Sequence, residues 1–284
     1  VTMDLDDVEQ INVNALGGAD ILTVNDLSGT DATKIDVNLA ATAGGGDAES
    51  DTVTVNGTNA ADTISVVGSG ADYVVAGLPA QVNGPTAAAS DQMIIYARGG
   101  NDVVNATTLL PDTTTLTIDG GTGNDTIVGG RGADRLFGGD GNDFIDGNQG
   151  NDVADLGAGN DVFQWDPGDG SDTVEGQDGA DLLLFNGSSI GEMIDISANG
   201  TRARFTRDIA GITMDLNGVE RIDFNALGGA DTITVGDLSG TGVAEINLAL
   251  AGVFGGNTGD GLTDTVIVSG SAAADVIAVS GSGS

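Results

Sequence analysis

The chain of 284 residues contains neither cysteine nor histidine. Without cysteine there can be no disulfide and no thiol nucleophile, and without either residue the usual zinc sites are excluded. Serine is present, but no histidine can activate it, and carboxylate pairs are too abundant for any one pair to mark a glycosidase. Lys and Arg number 8 against 43 Asp and Glu, a formal charge of -35. That balance argues against nucleic acid or an anionic membrane as a direct partner and favours cations. Aromatics make up 4% of the residues, and no apolar run approaches the roughly eighteen residues of a membrane span. No signal peptide is visible at the start, and the opening Val1 suggests a processed product or a fragment.

The acidic residues are 37 Asp but only 6 Glu. Glutamate would serve solubility equally well, whereas the short aspartate side chain suits turns and turn-borne ligands. Glycine occurs 48 times, proline 4 times, and the 39% hydrophobic residues recur as short runs such as ILTV, TVTV and MIIY. No stretch sustains a helical period, so the expected fold is all-β.

Residues 120 to 155 read GGTGNDTIV, GGRGADRLF, GGDGNDFID and GNQGNDVAD without a gap, and LGAGNDVFQ at 156 to 164 makes a fifth nonapeptide. Glycine pairs allow positive φ and tight turns, and the three residues after each aspartate suffice for a short strand. Nine residues thus form half of a flattened coil of about eighteen residues, and every second turn stacks about 4.8 Å above the last. One edge carries Asp125, Asp143 and Asp161, with Asp125 ending the stack, and the other carries Asp134 and Asp152. Carboxylates about 5 Å apart repel by roughly 3 kcal/mol per pair at an effective dielectric near 20. A divalent cation between turns removes that cost.

These repeats resemble the RTX, or hemolysin-type calcium-binding, family, whose motif is G-G-x-G-x-D-x-U-x. The resemblance implies a parallel β-roll or β-solenoid binding several calcium ions, flanked by irregular β-solenoid or strand-rich segments. The implied metal-site positions are Gly121, Gly123, Asp125, Gly130, Gly132, Asp134, Gly139, Gly141, Asp143, Gly150, Asp152, Gly159 and Asp161. Asp172 follows after eleven residues and Asp181 after nine more; both join the set, with the two added residues near Pro167 bulging one turn. Folding of residues 120 to 164 should require calcium.

A longer period runs through the chain. Residues 3 to 30 return at 214 to 241, with 20 of 28 positions identical and an offset of 211. Looser agreement follows, as in Asp51-Thr52-Val53 and Asp264-Thr265-Val266. Four segments are expected: an irregular β-rich segment at 1–119, a calcium block at 120–184, a connector hairpin around Asn199-Gly200 at 185–211, and a second copy of the unit starting at 212–284. This last copy lacks its own calcium block and should dock onto a neighbour or be poorly ordered alone.

Isolated half-motifs ending in Asp20, Asp102 and Asp231 are read as turns, since a lone half-motif lacks the stacked partner that completes a metal shell. Asp140, Asp169 and Asp178 are read as solvated or peripheral rather than as direct ligands. Apolar residues after the motif aspartate at Phe144, Val153, Val162 and Leu182 suggest a side covered by another segment or chain. Arg202, Arg204 and Arg207 form either a docking patch or local ion pairs. Met3, Met93, Met193 and Met214 are read as core fillers, and Trp165 as packing at the bulged turn rather than as a carbohydrate platform.

The expectation is therefore a non-catalytic, calcium-binding repeat module of a large secreted bacterial surface protein, an adhesin, matrix filament or surface layer that self-associates through neighbouring units. Type I secretion and an extracellular location go with the resemblance. The alternative is the folding and secretion segment of an exoenzyme whose catalytic domain lies outside this chain.

Overall fold

The computed structural model describes residues 5–40, 49–84, 87–111 and 113–272. Successive strands fall alternately on two sheets of twelve and thirteen strands. The first sheet begins with Gln10–Asn14 and ends with Glu245–Ala249; the second begins with Ile21–Val24 and ends with Thr265–Val268. Most neighbours pair in parallel, so the chain winds as a two-sided β-solenoid. Among the described residues the helical structure is one 3₁₀ turn, Ile209–Gly211.

In and around the glycine-rich block the strands turn alternate side chains inward. Ile127, Ile145, Phe163, Leu183 and Ile222 stack in register along the first sheet. Ile118, Leu136, Ala154, Val174 and Leu216 do so along the second. All of them are buried. Each large aliphatic or phenyl side chain contributes about 1.5–3 kcal/mol. Register shifts from 18 to 20 residues where Val153 pairs with Thr173 rather than a residue two earlier. The two added residues lie in the turn Asp166–Asp169. Here the coil is filled by aromatics: Trp165 stacks on Phe185 at 4.0 Å between ring centroids, and Phe205 and Phe224 close around them.

Two antiparallel meanders interrupt the winding. Thr63–Ser69, Asp72–Ala76 and Gln81–Gly84 add two strands to the first sheet. Met193–Asn199, Arg202–Arg207 and Ile212–Asn217 add two to the second, turning at Gly200-Thr201. One meander therefore offsets the other. Gln10–Asn14 and its repeat counterpart Arg221–Asn225 are first and eleventh in their sheet, and Ile21–Val24 and Thr232–Val235 are first and eleventh in theirs. One 211-residue unit thus advances both sheets by the same ten strands, which is what lets a second copy start in register.

Neither sheet breaks near 119, 184 or 211, and the hairpin expected in 185–211 is built into the second sheet. Residues 212–272 do not stand apart: Arg221–Asn225 pairs with Leu182–Asn186, and Thr232–Val235 with Met193–Asn199. The expected cover over the apolar positions is not supplied within the described residues, because Val153 is 41% exposed and Phe144, Val162 and Leu182 are half-exposed. These residues alternate outward from the strands whose neighbours fill the core. Met93 and Met214 are core residues, but Met193 faces outward, 61% exposed; Met3 lies outside the described residues.

Candidate metal centre

Nearly every coil strand is preceded by a carboxylate, and these carboxylates form ladders along the edges. On the first sheet the N–H groups of Asp62, Asp102, Asp125 and Asp143 each donate, at 2.7 Å, to Oδ1 of the next rung: Asp102, Asp125, Asp143 and Asp161 respectively. Asp161 N–H continues to Asp181 at 2.9 Å, and Asp181 N–H to Glu220 Oε2 at 2.8 Å. On the second sheet Asp134 N–H donates to Asp152 and Asp152 N–H to Asp172, both at 2.8 Å. Nearer the start, Asp20 N–H donates to Asp51 and Asp51 N–H to Asp91; farther on, Glu192 N–H donates to Asp231 and Asp231 N–H to Asp264. Between Asp91 and Asp134 the rung is Thr114, whose hydroxyl donates to Asp91 O at 2.8 Å.

Each ladder bond occupies one carboxylate oxygen. Oδ2 of Asp102, Asp125, Asp143, Asp152, Asp161, Asp172, Asp181 and Asp231 is buried without a hydrogen-bond partner. Leaving such an oxygen unpaired is costly, and burying a charge unpaired more so. Burial is accordingly the first cause that raises these carboxyls: Asp143 and Asp181 to about 6, Asp134 and Asp172 to about 7, and Asp152 to about 9. Neighbouring rungs raise several further, as Asp125 and Asp161 do for Asp143. One rung shows what neutralises such a group. Glu192, fully buried, receives Arg207 Nε at 2.6 Å and Ser188 Oγ at 2.8 Å. The aspartate rungs have no comparable protein cation, so an external one suits them.

The donor chemistry fits calcium, which takes six to eight oxygens from carboxylates and carbonyls. A Cβ at Gly120 would lie 2.5 Å from Asp125 Oδ2 and 2.7 Å from Gly138 O; at Gly138 it would lie 2.6 Å from Asp143 Oδ2 and against Leu156 O. Gly147 and Gly176 face Asp152 Oδ2 and Asp181 Oδ2 in the same way. Bare backbone at the first motif position therefore keeps carbonyl and carboxylate oxygens together.

The sequence-selected aspartates fall where the stacking requires. Asp125, Asp143, Asp161 and Asp181 share one edge, and Asp134, Asp152 and Asp172 the other. Of the glycines chosen, Gly121, Gly123, Gly139, Gly141, Gly150 and Gly159 have positive φ, and a Cβ on any of them would strike a carbonyl oxygen of the adjacent coil. Their observed role is close coil-to-coil approach. Gly130 N–H donates to Asp134 Oδ2 at 2.5 Å, and Gly132 packs against Pro111. The first-position glycines Gly120, Gly129, Gly138 and Gly147, outside the implied set, lie closest to the carboxylates, and their recurrence at nine-residue intervals is the sequence signal for them.

Two expectations are corrected. Asp125 does not end its stack, because Asp102 lies beneath it. Asp102 and Asp231 are not merely turn residues: both are 1% exposed rungs, and Asp20 is a half-buried one. The missed signal is an aspartate directly before a β-branched or apolar strand, as in Asp62-Thr63-Ile64 and Asp102-Val103-Val104. Asp169 is half-buried in its turn, accepts Asp166 N–H at 2.6 Å and is raised by burial to about 7. Asp140 and Asp178 are exposed.

The arginines split by face. Arg202 pairs with Glu175 at 2.6 Å and Asp215 at 2.7 Å, Arg204 is exposed, and Arg207 is buried over the Trp165 ring. Trp165 is wholly buried and its Nε1 donates to Gly170 O at 2.8 Å, so it cannot serve as a carbohydrate platform. No helix among the described residues is long and apolar enough to cross a membrane.

Residues 117–145, 128–163 and 168–187 match the model of the RTX calcium-binding nonapeptide repeat, in four copies. None of the curated proteins compared with the chain matches it. The glycine-rich block is thus made of RTX repeats. RTX repeats bind calcium, several repeats imply several ions, and the repeat family is generally non-catalytic and typical of secreted bacterial proteins.

Proposed function

We propose that this RTX-repeat chain is a calcium-dependent structural module of a large secreted bacterial surface protein, such as an adhesin, matrix filament or surface layer, and that it has no catalytic role. Its calcium ligands are the carboxylates of Asp125, Asp134, Asp143, Asp152, Asp161, Asp172 and Asp181, through the oxygens that the ladder leaves over, with the carbonyls of the intervening glycine turns. In a calcium-poor cytosol the stacked carboxylates repel one another and favour an unfolded, exportable chain, as type I secretion requires. Outside the cell calcium closes the coil.

The observation that carries the tandem reading is the ten-strand advance of both sheets over one 211-residue unit. The same segment occurs in two settings. Ile222, Phe224, Ala226 and Ile233 are buried on the preceding coils, whereas their counterparts Ile11, Val13, Ala15 and Leu22 are half-buried at the open end. That difference supports a preceding unit stacking on Gln10–Asn14 and Ile21–Val24 as Leu182–Asn186 and Met193–Asn199 stack under the second copy. At about 4.8 Å per strand, ten strands give an axial repeat of roughly 48 Å.

Electron microscopy of the native material tests the proposal. Thin rods with that axial period, losing order when calcium is chelated, are the expected result. Compact calcium-loaded monomers from a parent gene with a single unit and a catalytic domain would instead favour the exoenzyme alternative.

A further inference from the structure

We infer that the turn 97–102, outside the matched repeats, is a further calcium-binding turn, in which a calcium ion is held by Asp102 Oδ2 with backbone carbonyls of this turn and of the turn 120–125 stacked on it. The inference rests on calcium binding by the nonapeptide block and extends it by one coil to a sequence, Ala97-Arg98-Gly99-Gly100-Asn101-Asp102, that lacks the glycines of the first two motif positions.

The contacts between turns 97–102 and 120–125 reproduce those between the consensus turns 120–125 and 138–143. Asp102 N–H donates to Asp125 Oδ1 at 2.7 Å, as Asp125 N–H does to Asp143 Oδ1. Asn124 N–H donates to Asn101 Oδ1 at 3.0 Å, as Asn142 N–H does to Asn124 Oδ1 at 2.8 Å. Gly100 N–H donates to Thr122 O at 2.9 Å, as Gly123 N–H does to Asp140 O at 2.8 Å. A Cβ on Gly123 would strike Gly100 O, as one on Gly141 would strike Gly123 O.

Ala97, at the first position, keeps the backbone bond of the consensus glycine, its N–H donating to Asp119 O at 2.8 Å as Gly129 N–H does to Asp146 O, and Arg98 at the second keeps the backbone conformation. Arg98 takes φ +82, in the column where Gly121 and Gly139 have φ +96 and +108. Its guanidinium lies at the surface, with Nε toward Asn56 Oδ1 at 3.4 Å. The independent sign of a ligand is Asp102 itself: the residue is 1% exposed and its Oδ2 has no partner. A turn-capping aspartate needs only the oxygen that receives Asp62 N–H. The second, buried one has the same unsatisfied status as Oδ2 of Asp125 and Asp143.

Asp102→Asn removes the charge but keeps Oδ1 for the Asp62 bond. Native mass spectrometry of the full chain at saturating calcium should count one ion fewer for this variant than for the wild type. The far-ultraviolet circular dichroism of the two proteins should be the same. A crystal structure of the wild type in calcium should place an ion about 2.3–2.6 Å from Asp102 Oδ2. An unchanged ion count in a folded Asp102→Asn chain, or a calcium-loaded crystal with ions on Asp125 and Asp143 but none on Asp102, overturns the inference and leaves the nonapeptide block as a calcium site. A wild-type chain that takes up no calcium overturns both.

Discussion

The main-chain N–H of Asp125 donates to Oδ1 of Asp143, eighteen residues farther on, at 2.7 Å, and Oδ2 of the same Asp143 carboxylate is buried with no partner. One side chain thus both ties adjacent coils together and offers a ligand between them. Coil stacking and cation binding are consequently coupled.

Calcium removal should unfold the block. With chelator, β-structure over residues 120–184 should be lost, and millimolar calcium should restore it. Trp165 is the sole tryptophan and is buried against Phe185, so its emission should shift to the red on chelation and return with calcium. Magnesium should substitute poorly, because it requires a small octahedral shell and keeps its waters. Emission and circular dichroism that ignore both chelator and calcium would falsify calcium-dependent folding.

The pH dependence should have opposite signs with and without metal. The buried carboxyls of Asp143, Asp134 and Asp152 are raised to about 6, 7 and 9 in the fold, above their ordinary value near 4. Their contribution to the calcium-free fold is therefore fully present below about pH 4 and lost as pH rises through about 6 to 9. Chelated protein should keep more β-structure at pH 5 than at pH 8. Calcium must displace the same protons, so its affinity should instead increase from pH 5 to 8. Circular dichroism in chelator and calcium titrations at the two pH values provide the check.

Gly141→Ala should disrupt the coil locally. Gly141 has φ +141, and a Cβ there would fall on Gly123 O of the adjacent turn. Left-handed strain and that backbone collision together should cost on the order of 1–3 kcal/mol or more. Calcium midpoints should move to higher concentration. Gly200→Ala meets nothing within 4 Å, so its penalty should come from its φ of +70 alone and be smaller. Equal shifts for the two variants would argue against close coil stacking at Gly141.

Arg207→Ala should destabilise the second meander by about 3–5 kcal/mol, because it strands the Glu192 carboxylate without its guanidinium. It also removes the cation over the Trp165 ring. A denaturant midpoint measured in saturating calcium, and unchanged by the substitution, would show that Glu192 is compensated elsewhere.

The nine-residue period by itself determined that residues 120–164 form a coil, that Asp125, Asp143 and Asp161 share an edge opposite Asp134 and Asp152, and that the ligand should be a divalent cation. Local spacing suffices because each turn and short strand repeats the same backbone states, so position along the chain converts directly into height along the axis. Tertiary structure decided what the period could not reach. Coils of 23 residues between Asp102 and Asp125, and of 40 between Asp62 and Asp102, bring these aspartates onto the same ladder although no fixed spacing links them. Only the placement of the two meanders shows that both sheets advance equally, because that depends on which sheet each insertion joins. The partner of Arg207, the burial of Trp165 and the unpaired oxygen of Asp102 likewise arise from side chains that meet across coils, where sequence separation carries no information about contact.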